Sequence, residues 1–229
     1  MKRFLLLSLL SAVVLFPAAA FADWSENFDS YALGSGLHGQ GDWHGWDNNP
    51  GANAYITDVQ AVSPPHSVEI TGPSDMVHEY DGYASGLWVY TAWQYVPTGF
   101  SGTSYFLLLN QYNDGGPYNW STQVSFNSAG YIQNDYDGSQ LPLITGRWVE
   151  LRVEIDLDAD VQTFYYDDQM LFSSSWTNGM GGAGSLDIAC VDLYANNASP
   201  VYYDDMSLVP GGVTGVEETS WGGLKGLFR

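Results

Sequence analysis

Residues 120–127 read WSTQVSFN, and their alternation decides the fold class. Successive side chains of a strand point to opposite faces. Trp120, Thr122, Val124 and Phe126 therefore fall on one side of an extended chain, and Ser121, Gln123, Ser125 and Asn127 on the other. One face is core and the other wet, as expected of an antiparallel sheet with a single solvated surface. The same period of two recurs between clusters of Gly, Asn, Asp and Pro. It marks Ser67 to Ile70, Leu87 to Val96, Ser104 to Tyr112, Trp148 to Ile155, Gln162 to Tyr166, Ser185 to Tyr194 and Tyr202 to Val209. Many short strands separated by turn signals predict an all-β chain, an antiparallel β-sandwich or jelly roll.

Upstream of this pattern, Lys2 and Arg3 precede an apolar run from Phe4 to Phe16 and the small-residue site Ala20-Phe21-Ala22. That arrangement predicts a secretory signal peptide over residues 1–22, cleaved before Asp23, and an exported chain, secreted or held at the cell surface. No later stretch reaches the roughly 18 apolar residues of a membrane span. A single domain is expected over 23–210. Beyond Pro210 the chain becomes Gly-rich, and residues 211–229 read as a flexible tail ending in SWGGLKGLFR. Cys190 is the only cysteine, set in the apolar run Ile188 to Val191, so a buried inert thiol is expected and no intrachain disulfide can form.

The formal net charge is −20. Loss of the leader would leave Arg147, Arg152, Lys225 and Arg229 against all 26 acidic residues. Nucleic acid, anionic lipid and anionic polysaccharide are repelled by such a chain, whereas neutral sugars and divalent cations are not. The 16 Tyr, 9 Trp and 10 Phe supply flat rings, most of them expected in a β core. Two Gly-rich polar loops place rings where a core cannot account for all of them. GQGDWHGWDNN carries Trp43 and Trp46, and QYNDGGPYNW carries Tyr112 and Tyr118. One Trp per loop is expected to plug the end of the sandwich, and Trp46 and Tyr118 are the first candidates for stacking on a sugar.

Four segments, ENFDSY, SPPHSVEI, RWVELRVEIDLDADVQTFYYDD and VYYDDMSL, occur in an order that resembles the concanavalin A-like lectin and glucanase superfamily, in its laminin-G-like jelly-roll form, over about residues 24–209. The resemblance implies two curved antiparallel sheets, adjacent first and last strands, and ligands on a concave face or at loop edges. It does not settle function, since that fold hosts binders, glycosidases, lyases and adhesion modules. Glu154-Ile155-Asp156-Leu157-Asp158-Ala159 comes within one residue of the Glu-x-Asp-x-x-Glu pattern of laminarinase-type members. Under that alternative Glu154 would be the nucleophile and Asp156 its supporting carboxylate, but Ala159 stands where the proton donor belongs. Without a donor the rate falls by roughly 10²-fold to 10⁴-fold. A lyase strand is only faintly matched at Val149 to Arg152. The expected function is thus a non-catalytic, exported domain that binds a neutral polysaccharide or a cell-surface glycan. A glycosidase with a displaced donor and an adhesion module that binds protein are the alternatives.

On the polar face of the strand Trp148 to Asp156, Arg152 between Glu150 and Glu154 reads as a charge ladder, and Glu150 and Arg152 could also line a sugar cleft. Calcium, in a structural role, is the cofactor expected from two acidic groups. Glu26 or Asp29 should approach Asp204 or Asp205 if the first and last strands pair, an arrangement that the resemblance implies can hold the ion. Asp156, Asp158 and Asp160 supply the first three ligand positions of a calcium loop, although Val161 replaces its glycine.

Overall fold

The computed structural model describes residues 24–180 and 182–212. The expected leader and nearly all of the Gly-rich segment after Pro210 lie outside the described residues. Fifteen strands follow in chain order: β1 (Trp24–Glu26), β2 (Trp43–Gly45), β3 (Tyr55–Thr57), β4 (Ser67–Ile70), β5 (Asp75–Glu79), β6 (Leu87–Tyr95), β7 (Thr103–Gln111), β8 (Asn119–Asn127), β9 (Tyr131–Asn134), β10 (Gln140–Pro142), β11 (Trp148–Asp156), β12 (Val161–Tyr166), β13 (Gln169–Ser174), β14 (Cys190–Tyr194) and β15 (Val201–Pro210).

They form two antiparallel sheets. The larger has the order β13-β12-β11-β6-β15-β4-β3, with β1 added to β15, and the smaller has the order β10-β9-β8-β7-β14-β5-β2. The chain is a β-sandwich, as the period-2 pattern predicts. The first and last strands are neighbours, with Trp24 opposite Leu208 and Glu26 opposite Met206. Among the described residues no helix is long and apolar enough to cross a membrane.

Between the sheets lies one apolar core, to which Val149, Leu151, Val153 and Ile155 of β11 and Phe106, Val124 and Phe126 of the smaller sheet contribute. A second, smaller cluster lies on the outer face of the smaller sheet, built from Val77, Leu107, Leu109, Tyr112 and Cys190. Burial there pushes the Cys190 thiol up, so it stays protonated and unreactive.

The alternation of WSTQVSFN breaks at one point. Thr122, Val124 and Phe126 are fully buried, but Trp120 packs on the outer cluster. Thr122 pairs with Leu108 and Trp120 with Leu109, which leaves Ser121 as an extra residue in β8. Asn110 is the matching extra residue in β7. An inserted residue reverses the facing of everything beyond it. Both are polar and buried, and they satisfy each other: Asn110 Nδ2 donates to Ser121 Oγ at 2.7 Å and to the Trp176 carbonyl at 3.1 Å. Ser121 Oγ donates to the same carbonyl at 2.6 Å. The predicted strand from Ser185 begins only at Cys190, because the preceding backbone bonds to loops, with Ser185 N donating to Asn110 Oδ1 and Ile188 N to the Tyr83 carbonyl.

Candidate functional site

The outer face of the smaller sheet carries a cleft of about 280 Å³, lined by Trp46, Asp75, Tyr105, Leu107, Trp120, Gln123, Asp192 and Tyr194. The bulge brings Trp120 there. Trp46 and Trp120 lie nearly parallel, 6° apart with ring centroids 6.1 Å from each other. Tyr105 and Tyr194, on adjacent strands, form a second stacked pair at 5.6 Å. The cleft thus has aromatic walls.

Two loops are clamped together to fix Trp46. The Asp47 carboxylate accepts from Gly115 N at 2.8 Å and from the Tyr118 hydroxyl, while Asp47 N donates to Tyr112 Oη at 3.0 Å. The Tyr118 hydroxyl and then the Gly115 N–H hold the Asp47 carboxyl below the usual carboxylate range. Asp47 and Asn48 adopt left-handed backbone, with φ of 54° at each, which short polar side chains tolerate better than others. Gly45 is required here, since a Cβ on it would meet the Asn49 carbonyl at 2.1 Å.

Asp75 and Asp192 form the polar floor. Asp75 on β5 lies opposite Tyr194 and Asp192 opposite Val77, so the two carboxyls face outward as diagonal neighbours. Asp192 is 3% exposed. No N–H group and no hydroxyl reaches the Oδ1 atom of either residue, and the only partner each carboxyl has there is the other carboxyl. A bond between two carboxyls needs a proton. Burial first, and then the neighbouring Asp75 charge, push Asp192 well up, so the pair holds one proton that the two carboxyls share. Burial also raises Asp75. Beside them, Asp135 accepts from Ser125 Oγ at 2.8 Å and from Gln123 Nε2 at 3.2 Å.

The sequence candidates divide among three environments. Trp46 and Tyr118 stand at the cleft and its rim, with ring centroids 4.7 Å apart. Tyr112 is 6% exposed and supports Trp46 edge-on from below, so it offers no platform of its own. Trp43 must be corrected: it is 1% exposed and packs against Phe28 and His78, which makes it the plug of the sandwich end rather than a sugar contact. Glu150 and Arg152 belong to the outer face of the opposite sheet. There Arg152 stands 3.6 Å from Glu150 and 3.3 Å from Asp168, bonds to Glu154, and lies 4.2 Å over the Tyr165 ring. This is the charge ladder.

Glu154 faces Val89 and Thr163 across the neighbouring strands, and neither replaces the acid missing at Ala159. Glu154 and Asp156 line a separate cavity of about 420 Å³ with Leu87 and Val161. Ala159 belongs to the hairpin turn, its N–H donating to Asp156 Oδ1 at 2.8 Å.

Glu26 and Asp205 line one surface cavity beside the β1–β15 pair, but each carboxylate proposed for calcium already has protein donors of its own. Glu26 accepts from Phe28 N and the Tyr31 hydroxyl, and Asp29 from His66 N. Asp204 accepts from Val62 N and Ser63 N, and Asp205 from the Ser63 hydroxyl. In the hairpin, Asp156 turns to Ala159, Asp158 to Gly86 N, and Asp160 to Ser175 and Thr177. Among the described residues no group of three or more His, Cys, Asp or Glu side chains could hold a metal ion.

Asp75, Asp192, Tyr105, Tyr194 and the outward Trp120 escape a reading of the sequence. The one available signal is Asp192 within CVDLY, a charge in the middle of an otherwise apolar strand. No known protein-family model matches the chain, and no curated protein matches it. Among solved structures it is similar to "Cellulose induced protein, Cip1", with 14% identity and a TM-score of 0.53 over 81% of this chain and 96% of that one. It is also similar to a sialidase, with 7% identity and a TM-score of 0.55 over 83% of this chain and 18% of that one. These likenesses establish a shared β-sandwich fold.

Proposed function

We propose that the domain is an exported, non-catalytic glycan-binding module of the concanavalin A-like type, holding a neutral polysaccharide or cell-surface glycan in the cleft over its smaller sheet. The observation that carries this reading is the joined carboxyl pair, Asp75 and Asp192, between two aromatic walls. Apolar rings with a few convergent polar groups are what a small-molecule or sugar site needs. A protonated carboxyl beside an ionised one offers both a donor and an acceptor to sugar hydroxyls.

The same pairing argues against hydrolysis. A retaining glycosidase holds its carboxyls about 5–5.5 Å apart and an inverting one about 6.5–9.5 Å. Asp75 and Asp192 are partners sharing one proton, rather than two acids set on opposite sides of a bond to be cleaved. Of the other acids on this face, Asp47 is held by Tyr118 and Gly115, and Asp135 by Ser125 and Gln123.

Calorimetric titration with short neutral oligosaccharides tests the reading. Trp46→Ala and Trp120→Ala should each weaken binding by about tenfold or more, the range of a buried aromatic anchor. Binding that ignores both changes would remove the cleft from consideration. Release of reducing ends that disappears in Asp192→Asn would replace binding by catalysis.

A further inference from the structure

Taking the cleft as the glycan site, but replacing the neutral polysaccharide by a cationic glycan, we infer that the glycan held there bears an amino group, and that its ammonium sits on Asp75 and Asp192 between the two aromatic pairs. Three observations converge on this. The first is sign. The charged groups facing this side of the smaller sheet are Asp75, Asp192, Asp47, Asp114 and Asp135, with His44 farther along β2 bonded to Glu79 at 3.1 Å. The only Lys or Arg among the described residues are Arg147 and Arg152. Both serve the opposite sheet, Arg147 paired with Asp167 and Arg152 in the ladder of β11.

The second is burial without a donor. A buried carboxyl is ordinarily matched by N–H groups or a cation. Asp192 is nearly inaccessible and lines the cleft, yet no N–H group or hydroxyl of the protein meets its Oδ1, and the same holds for Asp75, so their one partner is each other. A site built only for neutral hydroxyls would be served by amides at less cost. An ammonium brings three donors and a unit charge to oxygens that otherwise have only a shared proton.

The third is the walls. Cations are drawn to ring faces, and more strongly when desolvated. Trp46, Trp120, Tyr105 and Tyr194 surround the floor. The cavity, about 280 Å³, lies just below the range for small-molecule sites, about 300–1,000 Å³. That suits a single sugar-sized ring. On binding, the ammonium keeps its own protons and takes the place of the shared one, which leaves for solvent; the complex then holds two carboxylates and one cation.

The test compares three trisaccharides of one linkage: the fully deacetylated glucosamine trimer, its N-acetylated counterpart and the glucose trimer. Titrations run in two buffers of different ionisation heat, at a pH where the amine is charged. The deacetylated trimer should bind at least tenfold more tightly than either neutral one and release up to one proton. Asp192→Asn should bring it down to the neutral level. Equal binding of all three by the unaltered protein would overturn the amine while leaving the glycan reading intact. Amine binding that survives Trp46→Ala with Trp120→Ala would be attraction to the acidic surface at large, and would also overturn it. Failure of all three to bind would remove the glycan reading and the amine with it.

Discussion

Asp204, fully buried on β15, provides a quantitative test of how this fold treats its carboxylates. Its Oδ2 accepts from Val62 N at 2.8 Å and Ser63 N at 3.1 Å, and its Oδ1 from Asp205 N at 2.8 Å. Burial pushes its pKa from 3.8 up to about 6, and the three N–H donors offset only part of that rise. A carboxyl harder to ionise in the folded chain makes the folded state bind more protons between those two values. The contribution of Asp204 to stability is therefore fullest below pH 3.8, declines as pH climbs to about 6, and levels off above. At about 1.36 kcal/mol per pH unit the decline amounts to at most about 3 kcal/mol. Asp204→Asn keeps one oxygen for the loop N–H groups but turns an amide towards Asp205 N, at a cost of roughly 1–3 kcal/mol that is the same at every pH. Urea unfolding at about pH 4 and about pH 7 should show the unaltered protein losing up to about 3 kcal/mol more across the interval than the variant. Other carboxylates contribute to both chains and cancel. Equal slopes would refute the burial argument. A steeper loss in the variant would mean that the charged form is favoured, as a bound cation would make it.

Trp43→Ala should destabilise the domain by about 3–5 kcal/mol, read from the denaturant midpoint, because it empties a site sealed by Phe28 and His78. Arg152→Met should cost only about 1–2 kcal/mol, since its ion pairs are partly exposed, and should leave glycan affinity unchanged because the ladder is on the other sheet. Chelator should leave the melting temperature where it is, given that the acidic residues of both proposed calcium sites bond to separate protein donors. A drop of several degrees would restore the ion.

What the sequence discloses follows from how local each feature is. β11 and β12 are legible because their alternation is unbroken and their turn, residues 157–160, is short. β5, DMVHE, is not, because polar residues sit on both of its sides while three of its five positions are buried. Trp46 and Tyr118 attract notice as rings in Gly-rich loops. The identical argument misplaces Trp43, since only the three-dimensional end of the sandwich decides which ring becomes the plug. Trp120 is misread for another reason: Ser121 shifts the register by one residue, and nothing in the pattern of apolar residues marks that insertion. Asp75 and Asp192 lie far apart in the chain and meet only because β5 pairs with β14.

The pairing of β1 with β15 also governs how the domain answers force. β1 is three residues long and runs antiparallel to β15, so residue 24 and residue 210 leave from the same end of the pair. A pull on those two points loads the interstrand hydrogen bonds in succession rather than together, because they lie across the strands. The first strand should peel away at low tension, well before the β6–β11 and β7–β8 ladders feel any load. Anchored through both ends, the domain would therefore yield at its seam while its cleft stayed whole.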